Sequence, residues 1–380
     1  LDKIITYYKD YYQTNENIYL HVPCFYGNEK KYLNECIDQN QVSTIGNFIP
    51  KFEKELSTMV NTKYTIATIN GTAALQVALR IVGVEKNNEV ITQALTFVAT
   101  ANAIKYLGAE PIFIDVDKDT MGLSPKSVSD FLEKNAKLEN GICINKLTGK
   151  KISACVPMHT FGFSIDIEAL QEVCKQWNIP IVEDAAEAIG SKYKEKPLGS
   201  FGETAAFSFN GNKIITAGGG GAITTNNETL AKKAIHLIGT AKTPHSFEYY
   251  HDELGYNYKM PNLNAALLCA QIENLQYFLK VKRKMAFEFS QIIEKEGFKF
   301  RKEMPNTTAN YWIMCVELKN KKERDFFLEK TNKNGIMTRP IWQLMYKLPM
   351  YQNCYKDKQI NAKFLEERII NIPSSVKNDK

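Results

Sequence analysis

The chain has 380 residues, 44% of them hydrophobic, which suits a folded globular protein with a large core. Its 48 basic and 42 acidic residues leave a formal charge of +6 with both signs interspersed, and no arginine-rich arm, zinc-finger spacing or RNA-binding signature favours nucleic acid. The eight cysteines are scattered without a C-x-x-C pair or clustered histidines, which argues against a disulfide framework or a metal site and makes a reducing cytoplasm the expected compartment.

After a polar, tyrosine-rich start, residues 30–39 and 47–60 carry helical spacing. From Tyr64 the pattern alternates: strand 64–69, helix 72–84, strand 89–92, helix 96–107, strand 111–115, helix 124–134. The polar stretch 139–151 lacks sustained helical periodicity and reads as a hairpin or excursion. Strand 152–158, helix 165–177, strands 180–183, 204–209 and 221–225, and helix 228–238 follow. Such alternation predicts an α/β fold with a mostly parallel sheet flanked by helices. Past Met260-Pro261 a long helical stretch runs to about residue 296, and shorter periods around 311–318 and 336–339 predict a smaller C-terminal α+β domain. The expected division is therefore a large domain over 1–261 and a small one over 262–380, packed together because no Pro/Ser-rich linker separates them. No apolar run is long enough to span a bilayer, and no segment resembles a signal peptide.

Three features converge on one chemistry. Lys213 follows an apolar strand and precedes the four glycines Gly218–Gly221, among uncharged neighbours that argue against an ordinary solvated lysine. Asp184 ends the apolar run Pro180–Asp184, and Asn70-Gly71-Thr72-Ala73 reads as a turn opening a helix. Ligands of open α/β sheets gather beyond the carboxyl ends of the strands, so an amine, an anion and a phosphate cradle would face one crevice. The set suits pyridoxal 5'-phosphate, whose aldehyde condenses with a lysine and whose ring nitrogen wants a carboxylate partner. Lys213 would then serve as anchor and, once released, as proton carrier.

These segments resemble the DegT/DnrJ/EryC1/StrS family of pyridoxal-phosphate sugar aminotransferases, over nearly the whole chain from Val22-Pro23-Cys24 to Asn371-Ile372-Pro373. The opening, Val42–Gly46 and Phe209-Asn210-Gly211-Asn212-Lys213 are most similar to the branch that aminates 4-keto sugars for legionaminic-acid-type compounds. The resemblance implies a fold-type-I aminotransferase with Lys213 as the Schiff-base lysine and Asp184 at the pyridinium nitrogen. It places Gly71, Thr72, the Ala73 amide and Ser208 at the phosphate, Phe97 on the ring face, and Glu187 near the ring oxygen. His159 falls near the sugar or cofactor, with a structural histidine as the alternative. Asn257 belongs to a segment that reaches the neighbouring subunit's site, so a homodimer with shared active sites is expected; a polar loop is the other reading. Arg339 suits an amino donor's carboxylate or a diphosphate, or an internal salt bridge, and the family's histidine is missing from Leu344-Met345-Tyr346. The implied substrates are an amino donor, glutamate, and a nucleotide-linked 4-keto-6-deoxy sugar. A 3-keto-sugar aminotransferase, a sugar dehydratase of the same fold and a non-catalytic sugar-sensing regulator are the alternatives, and Lys213 weighs against the last two.

Overall fold

Seven strands build the central sheet of the computed structural model, which describes residues 1–377. Tyr64–Thr68, Gly221–Thr225, Thr204–Ser208 and Val182–Asp184 lie side by side, and Ile152–Val156, Glu89–Gln93 and Glu110–Ile114 continue the order. Bridges from Cys155 to Ile181 and from Met158 to Asp184 join the two sets. Only Gly221–Thr225 runs antiparallel to its neighbours, so the sheet is mostly parallel, as the alternation predicts. The sheet's middle strands are buried at every position, which is why they read as continuous apolar runs rather than alternating ones.

Local sequence sets the helix starts. Asn70, Ser124, Asp166 and Asn227 each accept a first-turn amide with the side chain, capping helices Gly71–Ile81, Pro125–Asn135, Ile167–Gln176 and Glu228–Ile238. Gly71–Ile81 is buried on nearly every side, from Ala73 through Leu79, because it is packed against both the sheet and neighbouring helices. The polar stretch expected to make an excursion forms a hairpin of strands Ala136–Glu139 and Ile142–Asn145.

Helix Asn262–Lys295, 34 residues long, crosses to a second, antiparallel sheet. That sheet orders Lys299–Phe300, Met314–Glu317, Ile369–Ile372 and Arg339–Pro340, with helices Lys321–Lys333 and Ile360–Glu366 beside it. The tyrosine-rich start is a helix, Asp2–Tyr12, whose Tyr7, Tyr8 and Tyr11 pack around Phe289 at ring separations of 5.0–5.6 Å. The chain then bridges Ile18 to Ile336, and Val22 N–H donates to Ser375 Oγ, so the N-terminal segment is laced to the small sheet. No helix among the described residues is long and apolar enough to cross a membrane.

Candidate active site

The carboxyl ends of strands Tyr64–Thr68, Val182–Asp184 and Thr204–Ser208 open into a cavity of about 710 Å³, whose wall also includes Trp312, Arg339 and Trp342. Of the residues expected at the site, Gly71, Thr72, Phe97, Asp184, Glu187, Ser208, Lys213 and Arg339 line it. Ala73, His159 and Asn257 do not.

At the floor, Lys213 Nζ lies 3.4 Å from Glu187 Oε1 and 3.8 Å from the centre of the Trp312 ring. Burial lowers the lysine pKa, and the same burial pushes Glu187 up to about 7, because each charge is costly away from water. Glu187 Oε2 accepts the Phe161 amide at 2.7 Å, which fixes the carboxylate. Asp184 accepts from Thr100 Oγ1 at 2.7 Å and from the Ala186 amide at 3.2 Å, and burial raises its pKa.

Two glycines shape the turn at the end of strand Tyr64–Thr68. A Cβ on Gly71 would stand 2.6 Å from Ser208 Cβ, and one on Gly221 would stand 2.4 Å from the Asn70 carbonyl. The turn therefore sits tight against the next strands and aims the start of helix Gly71–Ile81 at the cavity. First-turn amides lack intrahelical acceptors and carry the positive end of the helix dipole, which favours an anion there. The Ala73 amide is already spent on Asn70 Oδ1 at 2.8 Å, which leaves Gly71 and Thr72 to offer the backbone donors.

Pyridoxal phosphate fits this donor set. A buried amine faces the cavity, a glycine turn backed by Ser208 can take a phosphate, and Asp184 presents an acceptor for a ring N–H. The Phe97 ring, 50% exposed at the cavity edge, offers an apolar face. Once bound, the cofactor supplies an electron-poor ring that stabilises negative charge at a substrate carbon.

His159 lies below this level. It is fully buried, with Nε2 3.0 Å from Glu183 Oε2. Glu183 also accepts the amides of Gly199, Phe201 and Gly202 at 2.7–2.8 Å. Burial alone would raise its pKa, but His159 and these amides hold it below the ordinary carboxylate value. Asn257 is exposed and bridges Gly239 within its own chain.

Sequence reasoning missed Trp312, Trp342, Phe161, Thr100 and Asn212. Only Asn212 stood beside a residue already singled out.

The sequence model of the DegT/DnrJ/EryC1/StrS aminotransferase family matches residues 23–379. The chain belongs to that family. It is 37% identical to the GDP-perosamine synthase of Escherichia coli O157:H7 over 93% of this chain and 92% of that one. It is 32% identical to the Vibrio cholerae GDP-perosamine synthase over 93% and 92%. In fold it matches Helicobacter pylori PseC, an aminotransferase of pseudoaminic acid biosynthesis, with a TM-score of 0.84 at 23% identity over 94% of each chain. It is a pyridoxal-phosphate-dependent sugar aminotransferase.

Proposed function

We propose that this enzyme moves an amino group from glutamate to C4 of a nucleotide-linked 4-keto-6-deoxy sugar, in two half-reactions at one site. The observation that carries the reading is the largely buried Lys213 amine, gathered with Asp184, Glu187 and the Gly71-Thr72 turn around a single cavity. Lys213 anchors the cofactor and, when free, moves the proton at the substrate carbon. Burial lowers its pKa, which favours the free amine that can accept a proton. Asp184 holds the ring nitrogen, Ser208 with the Gly71 and Thr72 amides holds the phosphate, and Phe97 covers the ring. Arg339, exposed at the cavity mouth, presents a planar fork to the donor's carboxylate in one half-reaction and to the acceptor's diphosphate in the other.

The C4 reading is supported by the two relatives named for GDP-perosamine, a 4-amino sugar nucleotide. The legionaminic-type motifs point to the same ring position, so C4 is common to both, while the nucleotide is not. The product would feed surface-glycan or nonulosonate synthesis. We also take the enzyme to work as a homodimer, with the exposed Asn257 segment completing the neighbour's phosphate site, and to divide near residue 261 into a large and a small domain.

Purified protein loaded with cofactor, reduced with borohydride and digested should carry the label on Lys213; an unlabelled Lys213 removes the anchor role. Incubation with glutamate and a panel of keto-sugar nucleotides should yield an amine at C4. An amine at C3, or water loss without an amine, overturns the assignment.

A further inference from the structure

Residues 310–312 make a sharp turn that brings Trp312 to the cavity wall, and side-chain hydrogen bonds from two other parts of the chain fasten it. Tyr311 takes a φ of +49°, a left-handed conformation that is costly for a bulky side chain and persists only where the surroundings impose it. Asn310 Nδ2 donates to the carbonyls of Glu187 and Ile189 at 2.7 and 2.9 Å, while its Oδ1 accepts the Trp312 amide at 2.8 Å. From the opposite side the buried Lys282 donates to the Trp312 carbonyl at 3.0 Å, the Ser374 carbonyl at 2.6 Å and the Tyr311 carbonyl at 3.4 Å. The turn is thus tied at once to the backbone of Glu187 and to the long helix.

What it fixes is the Trp312 ring. Indole Nε1 donates to the Asn212 carbonyl at 2.7 Å, next to Lys213 in the chain, while the ring face meets Lys213 Nζ at 3.8 Å from its centroid. One aromatic side chain therefore holds both the loop that carries the lysine and the lysine's own charge. A lysine has a flexible four-carbon stem, and in a cavity of about 710 Å³ its amine could settle in many places. An indole face is the best aromatic partner for an ammonium, most so where water is excluded.

We propose that Trp312 is the seat of the free Lys213 amine: a positioning residue that keeps the ammonium over the indole and beside Glu187 whenever the lysine is not bonded to the cofactor. The inference rests on Lys213 being the working lysine. Glu187 and Asp184 are the acidic groups acting on the amine, and His21 is the further titratable group coupled to it. The seat returns the amine to one place after each half-reaction, so that the proton it carries is delivered from a constant direction.

The test uses cofactor-free protein, so it is independent of whether Lys213 forms the borohydride-reducible link. Lysines are reductively methylated with ¹³C-formaldehyde, and the Lys213 resonance is assigned by its loss in Lys213→Arg. In the wild type the Lys213 methyl protons should be shifted upfield of the other lysines by the ring current of Trp312. Trp312→Phe, which keeps a ring but loses the Nε1 bond, should retain an upfield shift. Trp312→Leu should lose it, and the Lys213 titration midpoint should fall by about one pH unit, tenfold in proton affinity. A wild-type resonance among the bulk lysines overturns the seat. So does a midpoint in Trp312→Leu that stays put or rises, or a Phe variant that behaves like the Leu one.

Discussion

Lys282 sits in the long helix with three carbonyl partners and, among the described residues, no carboxylate in salt-bridge contact. Burial pushes its pKa down to about 7, against ~10.4 in an unfolded chain. Between those values the unfolded chain binds the extra proton and the folded one does not, so stability rises with pH across the window. Below pH 7 both states hold the proton and the full penalty stands; toward pH 10 it fades. Linkage puts the recovery between pH 7 and pH 9 at about 2 kcal/mol. With an unfolding entropy of ~2.1 cal/mol/K per residue, or ~0.8 kcal/mol/K for a chain this long, that becomes roughly 2–3 °C in Tm. Lys282→Met keeps the stem and removes the amine, leaving every other titrating group in place. Thermal unfolding of both proteins at pH 7, 8 and 9 should show the wild-type Tm gaining on the variant by roughly 2–3 °C over the series. A gap that stays flat, or narrows from the wild-type side, refutes the claim that this amine gives up its proton near neutrality.

Gly71→Ala places a methyl 2.6 Å from Ser208 Cβ, and overpacking of that kind costs about 1–3 kcal/mol. It should lower Tm and weaken cofactor affinity about tenfold or more in an absorbance titration; affinity equal to the wild type would mean that the turn does not hold the phosphate. Arg339→Ala should raise KM for the anionic substrates by about tenfold or more with a smaller change in kcat, and Arg339→Lys should recover only part, since a point charge cannot replace a bidentate fork. A kcat loss with unchanged KM would count against the binding role. Glu183→Gln, by weakening bonds from three amides and His159, should cost about 3 kcal/mol, seen as a Tm about 4 °C lower near neutral pH. Because the folded pKa of Glu183 is depressed, that advantage is complete above ~4.3 and disappears as pH falls through the folded value, so the two melting curves should converge in acid.

Alternation of strand and helix was legible because the parallel strands are buried on both faces and the caps are ordinary Asn, Ser and Asp. Lys213 was legible because its neighbours are uncharged and four glycines follow it, and the Gly71 turn because Asn-Gly-Thr closes a strand and opens a helix. The short strands of the small sheet were only coarsely readable, and helix Asp2–Tyr12 was hidden by its polar tyrosines, whose rings find their partner at Phe289, far along the chain. Trp312 could not have been found by local reasoning. Its indole reaches Asn212 across 100 positions, and nothing in Asn310-Tyr311-Trp312 announces a left-handed turn.

Glu183 and Asp184 show most sharply where sequence reading ends. They are adjacent acids at the end of one strand, both buried, and on composition alone either could face the cofactor. The pleat decides, because neighbouring side chains on a strand point to opposite faces. Glu183 turns to the loop Gly199–Gly202, where three amides and His159 satisfy it and depress its pKa; it ties that loop to the strand. Asp184 turns to the cavity, where among the described residues its carboxylate accepts from only a threonine hydroxyl and one amide, and burial raises its pKa. A carboxylate with spare acceptor capacity in a low-dielectric wall is one that gains from a charged N–H partner. A fully bonded one has nothing left to offer. The same strand end therefore holds two acids in opposite surroundings, one residue apart, and His159 meets Glu183 through Nε2 while its Nδ1 has no hydrogen-bond partner among the described residues.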